Sequence, residues 1–191
     1  MKNGTLVTLV GISGSGKSTT LKTLKDKHDF FEIVQYTNRP MREKEIDGVD
    51  YHFDSLAKFA EDSNFIVKEY PTVFGKWVYG INKSELLNSL KSSSKTQILV
   101  TDLDSALSIK RFLSIFGYEN HIIFLNPEIE EVLYRLEKRG DNIDEVQRRL
   151  IADYKDFQHA HKFIDLEVTF LQKKNVISKI ENFLRKEGIL N

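Results

Sequence analysis

Apolar and polar positions alternate along this chain in two rhythms. Leu6-Val7-Thr8-Leu9-Val10 is a short, nearly continuous apolar run, the pattern of a strand covered on both faces. It feeds into a glycine-rich turn. Leu21 and Leu24 then follow at helical spacing among lysines, so a helix is predicted from about residue 17 to 27. Buried-type strands are predicted again at residues 97–102 and 121–125, and a last one at 166–171. Helical patterns lie between and after them, at 107–116, 128–138, 144–157 and 175–186. Strands alternating with helices predict an α/β fold: a parallel, doubly wound sheet with right-handed crossovers.

Residues 35–88 interrupt that rhythm. Residues 30–36, Phe-Phe-Glu-Ile-Val-Gln-Tyr, have strand composition. Residues 37–53 have neither period and contain Pro40 and the turn pair Asp47-Gly48. A short helix is predicted at 55–61 with Ser55 as its N-cap. A strand is predicted at 65–70, ended by Pro71, and a strand or hairpin at 73–79 with Gly75 in a turn. Asn82 with Glu85 three residues on resembles a capping box and starts a helix over 82–90. A serine-rich loop fills 91–96. We expect one domain over 1–191: a core of about 1–34, 89–138 and 150–191, an inserted mixed β/α substrate subdomain at about 35–88, and a short segment at 139–149 where Arg139-Gly140 breaks a helix.

Composition narrows the classes of function. The 28 basic and 28 acidic residues cancel, so there is no overall attraction to nucleic acid or to an anionic membrane. Without cysteine there is no disulfide framework and no thiolate chemistry. No stretch reaches membrane-spanning length, and no leader pattern precedes the first strand. The expectation is a cytoplasmic protein, monomer or homodimer, with no nucleic-acid or membrane partner.

The candidate chemistry begins at the first turn. Gly11-Ile12-Ser13-Gly14-Ser15-Gly16-Lys17-Ser18-Thr19 fits G-x-x-x-x-G-K-[ST] between a strand and a helix, the phosphate-binding loop of ATP-using proteins. Its glycines let backbone N–H groups turn inward around phosphate oxygens, and the helix aims its positive end at the same anion. Lys17 is expected on the β- and γ-phosphates and the Ser18 hydroxyl on Mg²⁺. Arg39 and Arg42 flank Pro40 on the irregular segment, where guanidinium forks can converge on one anion or simply face solvent. Asp102 and Asp104 stand at the carboxyl end of a predicted strand, where α/β sheets bind ligands. An acid there helps hold Mg²⁺ or caps the next helix, and Asp102 is the candidate metal residue. His159 and His161 lack a wider ligand cluster and are read as surface or packing residues. Trp77 beside Tyr79 either stacks on a base or packs the subdomain.

Taken in order, these segments resemble guanylate kinases, nucleoside monophosphate kinases that convert GMP and ATP to GDP and ADP. The likeness spans nearly the whole chain. It rests on the loop, on Thr37-Asn38-Arg39-Pro40-Met41-Arg42 with Glu45, Gly48 and Asp50-Tyr51-His52-Phe53, on Glu69-Tyr70 with Tyr79-Gly80, on Asp102-Leu103-Asp104, and on Arg135 to Gly140 with Arg149-Leu150. The resemblance implies that Arg39, Arg42, Tyr51 and Tyr79 hold the acceptor phosphate. It implies that Glu69 and Asp104 read guanine, whose N1–H and N2–H₂ donors suit a carboxylate. It implies that Arg139 and Arg149 close over the triphosphate as a lid, with Arg148 as a neighbouring candidate. There are four departures, two of them, Gln35 and Ile81, at presumed base contacts. Gln35 stands where the family has serine, Ile81 where it has serine or threonine, an extra residue sits in Gly75–Gly80, and Ser105-Ala106 replace a Gln-Gly pair. Gln35, whose amide both donates and accepts, is the substitute base contact. The reading is phosphoryl transfer from Mg-ATP to GMP or dGMP. The alternatives are a kinase of the same build with another phosphorylated acceptor, and a non-catalytic guanylate-kinase-like binding module.

Overall fold

The structure, a computed structural model, describes residues 4–55, 62–72, 75–93, 95–139, 146–147, 150–151, 153–154, 157, 160–170 and 173–191. Two sheets organise them. The larger has five parallel strands in the order β2-β7-β1-β8-β9: β2 Phe31–Glu32, β7 Gln97–Val100, β1 Thr5–Gly11, β8 Glu119–Pro127 and β9 Leu166–Phe170. The smaller has four in the order β4-β3-β6-β5: β4 His52–Phe53, β3 Tyr36–Thr37, β6 Gly75–Asn82 and β5 Phe65–Thr72.

The parallel sheet is buried on both faces, as its apolar runs require. Val7 and Leu9 of β1 point to one face, against Leu21 and Leu24 of α1 (Lys17–His28) and Ile180 and Leu184 of the last helix, α5 (Lys173–Lys186). Leu6 points to the other face, packing with Leu86 and Leu90 of α2 (Lys83–Ser92) and Ile109 and Leu113 of α3 (Leu103–Ser114). Thr8 is buried on that same face, where its hydroxyl donates to Asn120 Oδ1 at 2.7 Å. A fourth helix, α4 (Ile129–Arg139), packs Val132 and Leu136 against Ile12 of the first loop.

Three predicted elements take a different form. Residues 30–36 are not one strand. Ile33 N–H still bonds the Ile98 carbonyl at 2.9 Å, but the Gln35 side-chain amide then takes the Val100 carbonyl. There the backbone leaves β7 and enters the second sheet, where Tyr36 pairs with Gly80. Pro71 does not end its strand: the β5–β6 ladder runs through Pro71↔Lys76 to Thr72↔Gly75. β5 is an edge strand, where a missing N–H is tolerated. α3 starts at Leu103 rather than near 107, because the Asp102 carboxylate caps it by accepting from Ser105 N–H at 2.9 Å. Asn82 caps α2 as predicted, accepting from the N–H groups of Ser84 and Glu85. Of the helix predicted at 55–61 only Ser55 is among the described residues, exposed and outside any helix; residues 56–61 and His159 fall outside them, as does most of 139–149. Between 146 and 157 every described residue is helical. His161 is exposed in a short 3₁₀ turn.

Candidate active site

The loop between β1 and α1 is held open by two of its glycines. At Gly11 a Cβ would lie 2.6 Å from the Leu125 carbonyl oxygen and 2.7 Å from Ser15 Oγ, so only glycine fits beside β8. Gly16, at φ 93°, is the N-cap of α1 and supplies no side chain to satisfy the helix's first N–H groups. With no acidic residue in its first turn, α1 presents an uncompensated positive end to the loop. Lys17 folds its ammonium onto the Gly11 and Ile12 carbonyls at 2.7 and 2.9 Å. Ser15 Oγ is buried with no hydrogen-bond partner among the described residues.

A cavity of about 440 Å³ opens over this loop. Ser13, Gly14, Gly16, Lys17, Ser18 and Thr19 form its floor. Arg39, Arg42, Tyr51 and Tyr79 reach it from the second sheet, and Arg135 and Leu136 from α4. Four cationic side chains facing one space suit a polyphosphate. Arg39 is almost fully buried, at 4 % exposure. Its Nη2 donates to both oxygens of Glu45, at 2.7 and 2.9 Å, and its Nη1 to the Pro40 carbonyl at 2.8 Å. The guanidinium also lies over the rings of Tyr51 and Phe53, at 5.3 and 5.6 Å. Burial pulls its pKa down, but the Glu45 bonds and the neighbouring Tyr79 outweigh that, and the net direction is up. Glu45 moves down in return: burial opposes its ionisation, and the Arg39 bond prevails. Arg42 is half exposed, 3.8 Å from the same carboxylate.

Arg135, which the sequence reading placed in the lid-like stretch without assigning it a role, is brought into this set. Its Nε bonds Glu131 at 2.8 Å, one turn back on α4, and its Nη1 lies 3.4 Å from the Gly14 and Ser15 carbonyls. The available signal was the Glu131/Arg135 spacing, which fixes the guanidinium on one helix face. Arg149 and the side chain of Arg139 lie outside what the structure describes.

A second cavity, of about 210 Å³, runs deeper between the sheets. It shares Ser13, Lys17, Tyr51 and Tyr79 with the first. Gly11, Gln35, Tyr70, Thr72, Trp77, Thr101 and Asp102 line it, together with Asp153 and Phe157. Tyr70 and Tyr79 meet edge to face at 5.6 Å, and Tyr79 meets Tyr51 at 5.7 Å, so its wall is aromatic. Burial pushes the Tyr51 phenol up to about 12. Tyr70 is pushed further up by burial, by its bond to Asp102 and by the charge of Asp153. Asp153 Oδ2 accepts from the Ser13 N–H at 2.6 Å, a carboxylate seated on the phosphate loop. Gln35 lines this cavity with its amide anchored, Nε2 on the Val100 carbonyl and Oε1 accepting from the Thr101 hydroxyl at 3.4 Å. Asp102 lines it too, with Oδ2 accepting from Ser105 Oγ at 2.6 Å in addition to its capping bond.

The two carboxylates expected on the base are not brought together. Glu69 is exposed and pairs with Lys76 at 2.7 Å. Asp104 pairs with Lys68. Neither lines a cavity described above. Among the described residues no cluster of three or more His, Cys, Asp or Glu is arranged to hold a metal. A magnesium ion carried by a nucleotide needs only one or two protein oxygens, and the Ser18 hydroxyl and the Asp102 carboxylate are hard donors that fit it.

A glycine loop at the carboxyl end of a parallel sheet, with helices on both faces and arginines converging over it, defines a phosphate-loop nucleotide enzyme. The chain belongs to the guanylate kinase family, whose model matches residues 3–187, and it is an ATP-dependent nucleoside monophosphate kinase. It is 31 % identical over 193 residues to a guanylate kinase of Clostridium tetani, covering 98 % of this chain and 88 % of that one. It is 33 % identical over 189 residues to a guanylate kinase of Clostridium perfringens, covering 96 % and 84 %. A crystal structure of guanylate kinase from Anaplasma phagocytophilum superposes with a TM-score of 0.69 at 21 % identity, over 97 % of this chain and 86 % of that one, and shares the fold. No helix among the described residues is long and apolar enough to cross a membrane.

Proposed function

We propose that this chain transfers the γ-phosphoryl group of Mg-ATP to GMP or dGMP, giving ADP with GDP or dGDP. The relatives' names support the acceptor. The observation that carries the transfer is the meeting of two cavities at Lys17: a cationic one over the phosphate loop, and an aromatic one beneath the second sheet. The polyphosphate lies in the first with its terminal group toward Ser13 and Lys17. The acceptor enters the second, its phosphate held by Arg39, Arg42, Tyr51 and Tyr79. Residues 35–88 thus serve as the acceptor-binding subdomain and the parallel sheet as the donor-binding core.

The chemistry needs no general base. A monophosphate has its second pKa near about 6 and is mostly a dianion at neutral pH. The obstacle is repulsion between two anions. Lys17, Arg39, Arg42 and Arg135 offset it and align the reactants in line, so catalysis is positioning plus electrostatics. Tyr51, whose phenol is pushed up to about 12, stays neutral, and the Tyr51 and Tyr79 hydroxyls offer hydrogen-bond donors to the acceptor phosphate. Ser18 and Asp102 would hold the Mg²⁺, which would offset phosphate charge when it arrives with ATP.

The test is coupled ADP release from Mg-ATP with and without GMP. GMP-dependent ADP formation, with GDP as the second product, supports the reading. ATP turnover indifferent to every nucleoside monophosphate ends it.

A further inference from the structure

Resting on that reading, we infer that Tyr70 is a positioning residue for phosphoryl transfer: its hydroxyl, carried by the second sheet, holds the Asp102 carboxylate in the orientation in which it takes Mg²⁺. A side chain of one sheet then sets the metal contact of the other.

Two contacts at matching spacing carry this. Successive side chains on a strand point to opposite faces, so Lys68, Tyr70 and Thr72 of β5 share one face. Tyr70 and Thr72 line the deeper cavity. Lys68 pairs with Asp104, and the Tyr70 hydroxyl donates to Asp102. Asp102 is the N-cap of α3, and Asp104 lies in that helix's first turn. Alternate residues of β5 thus meet alternate residues at the start of α3. The second of these contacts joins the smaller sheet to a carboxylate that follows β7 of the larger. Ser13 and Lys17 line the same cavity as Tyr70 and Asp102, so the joined carboxylate stands where the terminal phosphate of the donor is proposed to lie.

A carboxylate offers about four lone-pair sites. On Asp102, Oδ1 accepts the Ser105 N–H at 2.9 Å and Oδ2 the Ser105 hydroxyl at 2.6 Å. With the Tyr70 phenol, three donors fix the plane of the group and leave room for a cation. Both Ser105 donors belong to the helix that Asp102 caps and move with it. Tyr70 is the one of the three that ties the carboxylate to another element. Hydrogen-bond partners of a ligating carboxylate orient it toward its metal, and losing one costs about tenfold or more in metal affinity or activity. Packing does not account for this hydroxyl. The Tyr70 ring meets Tyr79 edge to face at 5.6 Å, a contact that phenylalanine makes as well. A phenol of ordinary pKa about 10 keeps its proton at neutral pH, so the group donates without adding charge.

The experiment compares the full chain with Tyr70→Phe, which keeps the ring and removes the hydroxyl. Mn²⁺ serves as the probe, since it takes the same oxygen ligands as Mg²⁺ and its free form is counted by electron paramagnetic resonance. The protein is saturated with a non-hydrolysable ATP analogue. Tyr70→Phe should weaken Mn²⁺ binding to that complex by about tenfold, with binding of the metal-free analogue unchanged. The Mg²⁺ concentration for half-maximal turnover should rise by a similar factor. Trp77, the chain's single tryptophan, stands opposite Tyr70 and reports acceptor binding by fluorescence, which should stay within about twofold. In an Asp102→Asn background, Tyr70→Phe should cost no further Mn²⁺ affinity, because the two changes act through one carboxylate. Unchanged Mn²⁺ affinity with weakened acceptor binding would make Tyr70 part of the cavity wall only. Tighter Mn²⁺ binding would make the hydroxyl a competitor of the metal. Either result, or additive losses in the double variant, overturns the inference and leaves the kinase reading intact. The expected Mn²⁺ loss in a protein whose wild type forms no ADP with any nucleoside monophosphate would sink the kinase reading and keep the inference. A wild type that neither binds Mn²⁺ beyond what the analogue alone holds nor forms ADP would end both.

Discussion

Glu45 grips Arg39 with both carboxylate oxygens and also accepts the Arg42 backbone N–H at 2.8 Å. One acid thus engages both arginines proposed to hold the acceptor phosphate. Glu45→Gln keeps the shape and leaves a guanidinium of 4 % exposure without its counter-charge. Breaking a buried pair from one side costs about 3 kcal/mol or more. We expect a lower urea midpoint, and a KM for the acceptor raised by about tenfold, since part of the preorganisation is lost. Unchanged stability would show that Arg39 finds another anion.

The same pair sets an acid dependence. Glu45 has a folded pKa below its ordinary value, so its ionised form is favoured by the native state. Its contribution to stability is complete above the unfolded pKa of about 4.3 and disappears as pH falls through the lower folded value. Glu181, bonded to His28 and Lys27, is lowered likewise and adds to the same window. Denaturation measured from neutral pH downward should show stability falling below that pH, with a shallower fall in Glu45→Gln.

Lys17 is one of four residues the two cavities share, with Ser13, Tyr51 and Tyr79. Lys17→Met should lower kcat by about 100-fold or more, the scale of removing one preorganised charge from a phosphoryl-transfer site. Because the ammonium rests on two loop carbonyls rather than in the core, circular dichroism and the thermal midpoint should change little. A variant that keeps full turnover would remove Lys17 from the chemistry.

Tyr36 and Tyr51 are both pushed up to about 12, Tyr36 by burial and its bond to Glu85, and Tyr51 by burial and the nearby Tyr79. A folded pKa above the unfolded value means that stability is fully present below the unfolded pKa of about 10 and is lost as pH rises through the folded one. Tyrosinate absorbance should therefore reveal phenols that titrate late, and stability should decline between about pH 10 and 12. Tyr51→Phe should soften that decline.

Asp153 occupies a loop amide that a phosphate oxygen would also use, at 2.6 Å from Ser13 N. An anion bound there must compete with a carboxylate. Asp153→Asn should strengthen ATP binding by about threefold to tenfold at low ionic strength, less at high salt, where the charge is screened. Equilibrium dialysis against Mg-ATP at two salt concentrations checks it, and weaker binding in the variant would make Asp153 a supporting group instead.

Much of the parallel half was legible from local pattern. The run Leu6–Val10 has the pattern of a strand covered twice, and the glycine–lysine spacing after it has the pattern of a phosphate loop. Each signal lies within a few residues and needs no partner to be read. Asn82 as a cap is of the same kind. The break after Ile33 was not legible, because Phe30 to Tyr36 have uniform strand propensity. Only the handover from backbone to the Gln35 amide, on the Val100 carbonyl, divides the chain between two sheets. Pro71 misled for a related reason: its effect depends on whether β5 has a neighbour on its N–H side, which is a fact about the sheet's edge.

The sequence by itself determined the phosphate loop and the order of strands and helices, since these follow from residue spacing and backbone preference. Only the tertiary structure decided which side chains of β5 share the cavity face. Lys68 and Glu69 are adjacent and both polar, so no hydrophobic alternation says which of them points inward, and a shift of one residue in register would exchange them. Pairing with β6, which sets Lys68 opposite Tyr79, makes that choice. The same folding brings Asp153 to Ser13 and Arg135 to the loop carbonyls, contacts between residues more than a hundred positions apart that no local pattern encodes.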